Sequence, residues 1–281
     1  MLIDTHCHLN FAAYKYDFDE VVDRTLAEGL RVINVGSQYS TSQRAVKLAT
    51  EHPGKMYAAV GLHPIHLFDM DVDEGEDSFH TRREEFKADD YAELAQESGV
   101  VAIGEMGIDY FHKPAGIADD EFIQKQKWTF IKAIQLAQKI NKPIIIHTRG
   151  AKADPSRAYT DMLELVKEAS FTNAVVHCFT EDWAIAKKIL DAGLMISFTG
   201  IITFPKTRKL EEVVKKTPLD RMMVETDAPY LAPQLVRGKR NEPRYVRYVA
   251  DRVAEIKGVT FEEVASITTA NAEKFFGLPK A

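Results

Sequence analysis

The sequence predicts an α/β fold, a (β/α)8 TIM barrel with an acidic insertion after the third strand. Three observations lead there. Eight short apolar segments alternate with mostly helical connections along 281 residues. Histidines and carboxylates stand at the C-terminal ends of many different apolar segments, and a barrel gathers all such ends on one face. No glycine-rich dinucleotide loop follows the first segment, which argues against the runner-up, an open doubly wound sheet.

The first apolar run, Leu2-Ile3, reads as a buried strand and leads directly into Asp4, Thr5, His6, Cys7 and His8. In an extended chain His6 and His8 point the same way, so both imidazoles can face one metal ion. An amphipathic helix covers about Asp19 to Glu28 and ends at Gly29. RVINVG (31–36) is the second strand, and Thr41 or Ser42 is a candidate cap for a helix running to Glu51. KMYAAVG (55–61) is the third strand, followed by Leu62, His63 and Pro64.

Residues 66–88 interrupt this rhythm with an acidic run: Asp69, Asp71, Asp73, Glu74, Glu76 and Asp77. With Asp69 as first ligand, a calcium loop would need glycine at the sixth position and glutamate at the twelfth. Glu74 and His80 stand there, so the run reads as a solvated surface insertion or a flap. A helix from about Asp89 to Gln96 precedes the fourth strand, VVAIG (100–104), which runs into Glu105 and then the loop MGIDYFHKPAGIADD (106–120). Asp119 or Asp120 is positioned to cap a long helix to Ile140, with Ile123, Phe130, Ile134 and Ala137 on one stripe. PIIIH (143–147) is continuously apolar up to His147, as a strand buried on both faces requires.

Three further units follow. A helix near 158–169 leads to AVVH (174–177), and one near 183–190 leads to LMISFTG (194–200). A third near 208–216 leads to RMMVETD (221–227). Asn241-Glu242-Pro243 predicts a capped helix start with proline in its first turn, and Thr260-Phe261-Glu262-Glu263 is a capping box for a final helix.

The composition is 45% hydrophobic, enough for one large core, so residues 1–281 read as a single barrel domain. The net charge of −6 and pI near 5.9 exclude a protein that coats duplex DNA through a basic face. A metal-using nuclease stays open, because bound cations supply local positive charge that a residue count misses. No apolar run reaches membrane-spanning length and no secretory leader is evident. Two cysteines, Cys7 and Cys178, make no disulfide framework; with them the chain reads as a cytoplasmic enzyme of a reducing compartment.

The strand-end residues form one constellation: His6, His8, His63, Glu105, His147, His177, Glu225 and Asp227. Five of the nine histidines are in it, and His52, His66, His80 and His112 are left to loops. More ligands are present than one zinc-like ion takes, which points to two divalent ions. His6, His8, Glu105 and Asp227 are assigned to one; Glu105, as a bridging carboxylate, His147 and His177 to the other. Mixed imidazole and carboxylate donors suit zinc, manganese, iron or cobalt, and magnesium bound more weakly. A pair of ions roughly 3.5–4 Å apart clamps the attacking and leaving oxygens of a hydrolytic displacement.

The segments IDTHCHLN (3–10), GLHP (61–64), GEMGIDY (104–110), PIIIHTR (143–149), VHCFT (176–180), ETDAPYLAP (225–233) and RGKRNEP (237–243) resemble the TatD family of metal-dependent deoxyribonucleases, within the amidohydrolase-like barrels. They fall in family order along the whole chain. Met106 stands where the family usually has isoleucine or a small residue, and the acidic insertion looks longer than usual. The resemblance implies a TIM barrel, the metal ligands already assigned, and a magnesium-type ion. It implies a hydrolase of DNA phosphodiester bonds, working 3′ to 5′ on single strands with a metal-activated water. The alternative it leaves is hydrolysis of an ester or amide bond, D-aminoacyl-tRNA included. A non-enzymatic barrel would show missing ligands, and none is missing.

In that chemistry Asp227 orients the attacking water and takes its proton, and His63 contacts the scissile phosphate or assists the leaving group. Glu225 orients a ligand from behind. Arg149, Arg237, Lys239 and Arg240 are candidate phosphate contacts, and a helix starting near Asn241 offers further backbone N–H groups. Tyr110, Phe111, Phe179 and Tyr230 flank the ligand segments as candidate base-stacking residues. The partner is nucleic acid and not a membrane; the oligomeric state is open, a monomer included.

Overall fold

The computed structural model describes residues 1–73 and 78–280. β1 (Ile3–Cys7) is followed by α1 (Phe18–Ala27), β2 (Arg31–Val35), α2 (Tyr39–Glu51) and β3 (Met56–Val60). A hairpin of β4 (Met70–Asp73) and β5 (Ser78–Thr81) comes next, then α3 (Ala88–Leu94), β6 (Val100–Asp109) and α4 (Asp119–Ile140). The chain continues through β7 (Ile144–Arg149), α5 (Pro155–Glu168), β8 (Ala174–Val176), α6 (Trp183–Asp191) and β9 (Met195–Phe198). It ends with α7 (Arg208–Lys216), β10 (Met222–Val224), α8 (Val246–Lys257) and α9 (Phe261–Phe276).

Eight strands form one sheet in the order β1-β2-β3-β6-β7-β8-β9-β10, each neighbouring pair parallel. The ring closes beyond the formal end of β10. Cys7 bridges Ala228, the Asp227 amide donates to the His6 carbonyl at 2.8 Å, and the His8 amide donates to the Ala228 carbonyl at 2.7 Å. This is the (β/α)8 barrel, as expected. Inside it, Ile33 and Val35 of β2, Tyr57 and Ala59 of β3, Ala102, Ile145, Val175 and Met223 form one apolar cluster. Alternate residues of the same strands, such as Ala58, Val60, Ile144 and Ile146, pack outward with the helices. Among the described residues no helix is long and apolar enough to cross a membrane.

Two strands depart from regular pairing. β1 carries one extra residue between Asp4 and Cys7 relative to β2, and β6 carries one between Ile103 and Met106 relative to β7. Such bulges bend a strand and re-aim its side chains. They fall where His6 and Glu105 stand. The fourth barrel strand also runs further than the apolar run suggests: Glu105 lies inside β6, and Met106 to Asp109, expected as loop, pair with β7.

Other expectations are corrected in detail. α2 begins at Tyr39, and Thr41 sits one turn in, its hydroxyl accepting the Gln38 amide at 2.8 Å. α4 has no side-chain cap; Asp119, Asp120 and Glu121 occupy its first turn, where the helix dipole favours them. Thr260 does cap α9, accepting the Glu263 amide at 3.1 Å. The acidic insertion is an antiparallel hairpin, with Val72 buried and the Thr81 hydroxyl donating to the Phe68 carbonyl. Glu74, Glu76 and Asp77 of the acidic run lie outside the described residues.

The closing seam is latched by Asp4, a fully buried carboxylate. It accepts the Thr226 amide at 2.9 Å and the Thr226 hydroxyl at 2.5 Å, across the β1–β10 junction. Burial holds its carboxyl well above the usual range, against the pull of the bonds from Thr226 and His6. Replacing Asp4 with alanine strands the buried Thr226 amide, so Asp4→Ala is expected to lose about 2–3 kcal/mol. Urea denaturation of the metal-stripped protein measures this. A loss below ~0.5 kcal/mol would show that the seam holds without the latch.

Candidate metal centre

The strand ends bring the predicted ligands together. His6 Nε2 lies 3.2 Å from His8 Nε2, and His8 Nε2 lies 3.3 Å from Asp227 Oδ1. Glu105 Oε2 is 3.4 Å from His6 Nε2 and 4.0 Å from His8 Nε2. The other carboxylate oxygen of Glu105 faces a second group: Oε1 is 2.6 Å from His177 Nε2 and 2.9 Å from His147 Nδ1. The His6 and His177 rings stack at 4.0 Å between centroids, so the two groups are contiguous. His6, His8 and Asp227 make one candidate metal-binding cluster, and His6, Glu105 and His177 another.

The fold fixes these side chains individually. His8 Nδ1 bonds the Val35 carbonyl at 2.8 Å, which leaves Nε2 as the lone-pair atom facing the cluster. His63 Nδ1 accepts the Ile65 amide at 3.2 Å, with Pro64 in the turn, so Nε2 carries the proton and lies 3.5 Å from Glu105 Oε1. Glu225 accepts the Cys178 amide and the Ser197 hydroxyl, both at 2.6 Å, and lies 3.4 Å from His177 Nδ1. Cys178 and Asp227 both adopt left-handed backbone, with φ of 46° and 57°. That conformation disfavours side-chain-bearing residues and is maintained only when surrounding contacts impose it. Glycine is required beside Glu105: a Cβ on Gly61 would stand 2.5 Å from the Gly104 carbonyl carbon.

Charge and burial are strongly coupled here. Burial works to raise the carboxyl of Glu105, but the imidazoles of His177, His63 and His147 outweigh it and hold it well below the usual range. Burial likewise opposes charge on His177, and Glu105 and Glu225 override it, raising His177 well above its ordinary value. His6 and His63 go the other way: burial lowers both, reinforced by neighbouring imidazoles. Such a site is poised to exchange protons for cations.

The candidate phosphate contacts are dispersed. Arg149, at the end of β7, stacks on Phe111 at 3.9 Å, and Arg237 lies over Phe204 at 4.9 Å. Arg237 and Lys239 are exposed. Arg240 is taken up within the fold, bonding both carboxylate oxygens of Asp17 at 2.8 and 2.6 Å and the Ala13 carbonyl at 2.7 Å. No α-helix opens at Asn241; a 3-10 turn, Pro243–Tyr245, comes first and α8 begins at Val246. The buried Asn241 side chain instead donates to the carbonyls of Thr226 and Tyr230, pinning the loop that carries Asp227. Of the flanking aromatics, Tyr110 and Phe179 are buried in the core, while Phe111 and Tyr230 are partly exposed.

Sequence reasoning missed three residues. Asp109, the last residue of β6 in a stretch read as loop, lies 3.3 Å from His147 Nε2 and joins His63 and His147 in a third cluster. His112, left among the ordinary histidines, bonds Asp109 Oδ2 through Nδ1 at 2.7 Å. His66, also left to a loop, is buried beside His63 with ring centroids 6.4 Å apart. A signal existed for Asp109: a carboxylate four residues beyond Glu105 on an irregular strand. None existed for His66.

Gly107→Ala would drive a Cβ to 2.0 Å from the His147 carbonyl oxygen, at a φ of 150°. It is expected to destabilise the protein by about 2–3 kcal/mol and to weaken metal binding. Thermal unfolding and metal titration check both; wild-type values in both would contradict the packing. Burial lowers the His66 pKa to about 4. Between pH 6.5 and 4 the unfolded chain therefore binds this proton and the folded one does not. Stability contributed by neutral His66 is full above pH 6.5 and lost as pH falls through 4, up to about 3 kcal/mol. In denaturation of metal-stripped protein across this range, His66→Gln should flatten the slope. An unchanged slope would assign the acid sensitivity elsewhere.

Comparison with known proteins agrees with this geometry. The model for the TatD related DNase family matches residues 3–277. The chain is 42% identical over 279 residues to the uncharacterized metal-dependent hydrolase YabD of Bacillus subtilis, covering 98% of this chain and 99% of that one. It is 37% identical over 281 residues to the uncharacterized metal-dependent hydrolase YcfH of Escherichia coli K12, with 98% and 95% covered. The crystal structure of YJJV, a TatD homolog from E. coli K12, superposes with a TM-score of 0.82 at 26% identity over 99% of this chain and 98% of that one. With its clustered histidines and carboxylates at the barrel mouth, the chain belongs to the TatD family and is a metal-dependent hydrolase.

Proposed function

We propose that this enzyme hydrolyses phosphodiester bonds as a 3′-to-5′ exonuclease on single-stranded DNA, using two divalent ions. The observation that carries the reading is the Glu105 carboxylate, with one oxygen toward His6 and His8 and the other toward His147 and His177. The donor chemistry fits divalent cations, because imidazole nitrogens and carboxylate oxygens converge. His6, His8, Glu105 and Asp227 would hold one ion, and Glu105, His147 and His177 the other. Magnesium, manganese, zinc, cobalt and iron all suit this set. When bound, such ions lower the pKa of water and offset charge developing on a phosphoryl group.

The chain's own groups then have distinct tasks. Asp227 is the most exposed carboxylate of the set, with a side chain 15% exposed. It orients the attacking water and takes its proton. His63, with Nε2–H directed into the site, donates to a phosphate or leaving-group oxygen. Glu225 braces His177 from behind. Arg149, Arg237 and Lys239 meet neighbouring phosphates, Arg149 as the rigid fork nearest the ligand strands. Phe111 and Tyr230, partly exposed, offer faces to unstacked bases, each worth about 1–3 kcal/mol when used. DNA as substrate is supported by the description of the family that the chain belongs to.

The test is time-resolved cleavage of 3′- and 5′-labelled single-stranded DNA by metal-stripped protein refilled with magnesium, manganese, cobalt or zinc. Stepwise loss from the 3′ end is expected. Chelator should abolish it, and Asp227→Asn should lower it by at least ~10²-fold. Absence of cleavage with both ions bound would refute the nuclease and redirect attention to D-aminoacyl-tRNA and other esters or amides.

A further inference from the structure

Asp109 is a buried carboxylate, 1% exposed, on the strand that carries Glu105. Its Oδ1 accepts the backbone amides of Phe111 at 2.8 Å and His112 at 2.9 Å. Its Oδ2 accepts from His112 Nδ1 at 2.7 Å and faces His147 Nε2 at 3.3 Å. The backbone of the same residue is clamped by Gln126 of α4, whose side chain bonds both the amide and the carbonyl of Asp109. The carboxylate is therefore held in one orientation, with one oxygen reserved for two imidazoles.

His147 has two ring nitrogens and the structure gives each a different neighbour. Nδ1 faces Glu105 Oε1 at 2.9 Å and His177 Nε2 at 3.4 Å; Nε2 faces Asp109. A neutral imidazole offers a lone pair on one nitrogen only. To present it from Nδ1 toward the second cluster, the ring must carry its proton on Nε2. A carboxylate oxygen at Nε2 stabilises that tautomer and no other.

We infer that Asp109 is a positioning residue that fixes the tautomer and orientation of His147, and thereby sets the affinity of the His147–His177 side of the centre for its cation. This rests on the reading of His147 as a ligand through Nδ1. It also gives the third cluster, His63, Asp109 and His147, a role other than holding a third ion, since His147 cannot serve two ions while neutral. His112 belongs to the same device: its Nδ1–H keeps Oδ2 turned toward His147.

Asp109→Asn separates orientation from packing. The amide has nearly the same shape, and its oxygen retains the two backbone bonds at the Oδ1 position. Its NH2 group then falls at the Oδ2 position: one hydrogen meets His112 Nδ1, whose proton must move to Nε2, and the other donates to His147 Nε2, which drives that ring's proton to Nδ1 and removes the lone pair. Zinc and cobalt titrations of the metal-stripped full-length chain, against a chromophoric competing chelator, read the consequence. Wild type should bind two ions. Asp109→Asn should keep the first affinity within about twofold and lose 10–100-fold on the second, while the metal-free protein still unfolds in one cooperative transition. Equal second affinity in variant and wild type would overturn the inference and leave the two-ion reading intact. Parallel loss at both ions together with lowered metal-free stability would assign Asp109 a merely structural role. Three ions bound by wild type and two by the variant would make Asp109 a ligand. Fewer than two in wild type would overturn both readings. Nitrogen-15 NMR of histidine-labelled, zinc-loaded wild type tests the same point without a variant: His147 should be protonated at Nε2, and protonation at Nδ1 would end the proposal.

Discussion

A buried carboxylate surrounded by imidazoles is the constraint on which the rest of this structure depends. Glu105 is 4% exposed and lies within 4.0 Å of nitrogens on five histidines. Removing a charge from water to such a place is unfavourable unless partners compensate. The compensation comes from β1, β3, β7 and β8 at once, and strands so far apart in sequence converge only if the sheet closes into a ring. The barrel is thus a condition for the site, and the site a load on the barrel.

Closure shows how that load is carried. β1 meets the segment after β10 through a single bridge, Cys7 to Ala228, and backbone bonds between His6 and Asp227 and between His8 and Ala228. The seam and the first candidate metal cluster are the same stretch of backbone. Asp4 and Asn241 reinforce it from either side, Asp4 by holding Thr226, Asn241 by holding the carbonyls of Thr226 and Tyr230. Left-handed backbone at Asp227 is tolerated because these bonds over-determine it, and at Cys178 the amide is held by the Glu225 carboxylate. Residues with no contact to substrate or cation thereby set where Asp227 stands.

The fold and the residues of the candidate metal clusters were legible in the sequence for one reason. Apolar runs too short for helices end in polar residues that have no business in a core, and His6, His8, His147, His177 and Asp227 could be read from that pattern alone. What stayed hidden depends on chain geometry that periodicity does not encode. The bulges in β1 and β6 re-aim side chains without any change in composition, so Asp109 looked like loop. Arg240 carried the right chemistry for phosphate and a helix was expected to open near Asn241, but both side chains fold back onto distant partners: Asp17 for Arg240, the Thr226 and Tyr230 carbonyls for Asn241. His66 was indistinguishable from an ordinary loop histidine, because burial of a single imidazole leaves no trace in spacing.

The arrangement also resolves an electrostatic tension. A chain of net charge −6 must draw in a polyanion under the proposed reading. The acidic groups of the centre do not oppose this once cations are present, because Glu105 and Asp227 then neutralise ions that carry more charge than they do. On that reading the cations are the attractive element, and Arg149, Arg237 and Lys239 need only orient the strand. Affinity for substrate is then coupled to occupancy of the centre: each group that sharpens cation binding, from Glu105 outward to Asp109, also strengthens the field that the substrate meets. On that reading an acidic protein whose attraction comes from cations in a buried centre confines its pull on nucleic acid to one mouth of the barrel.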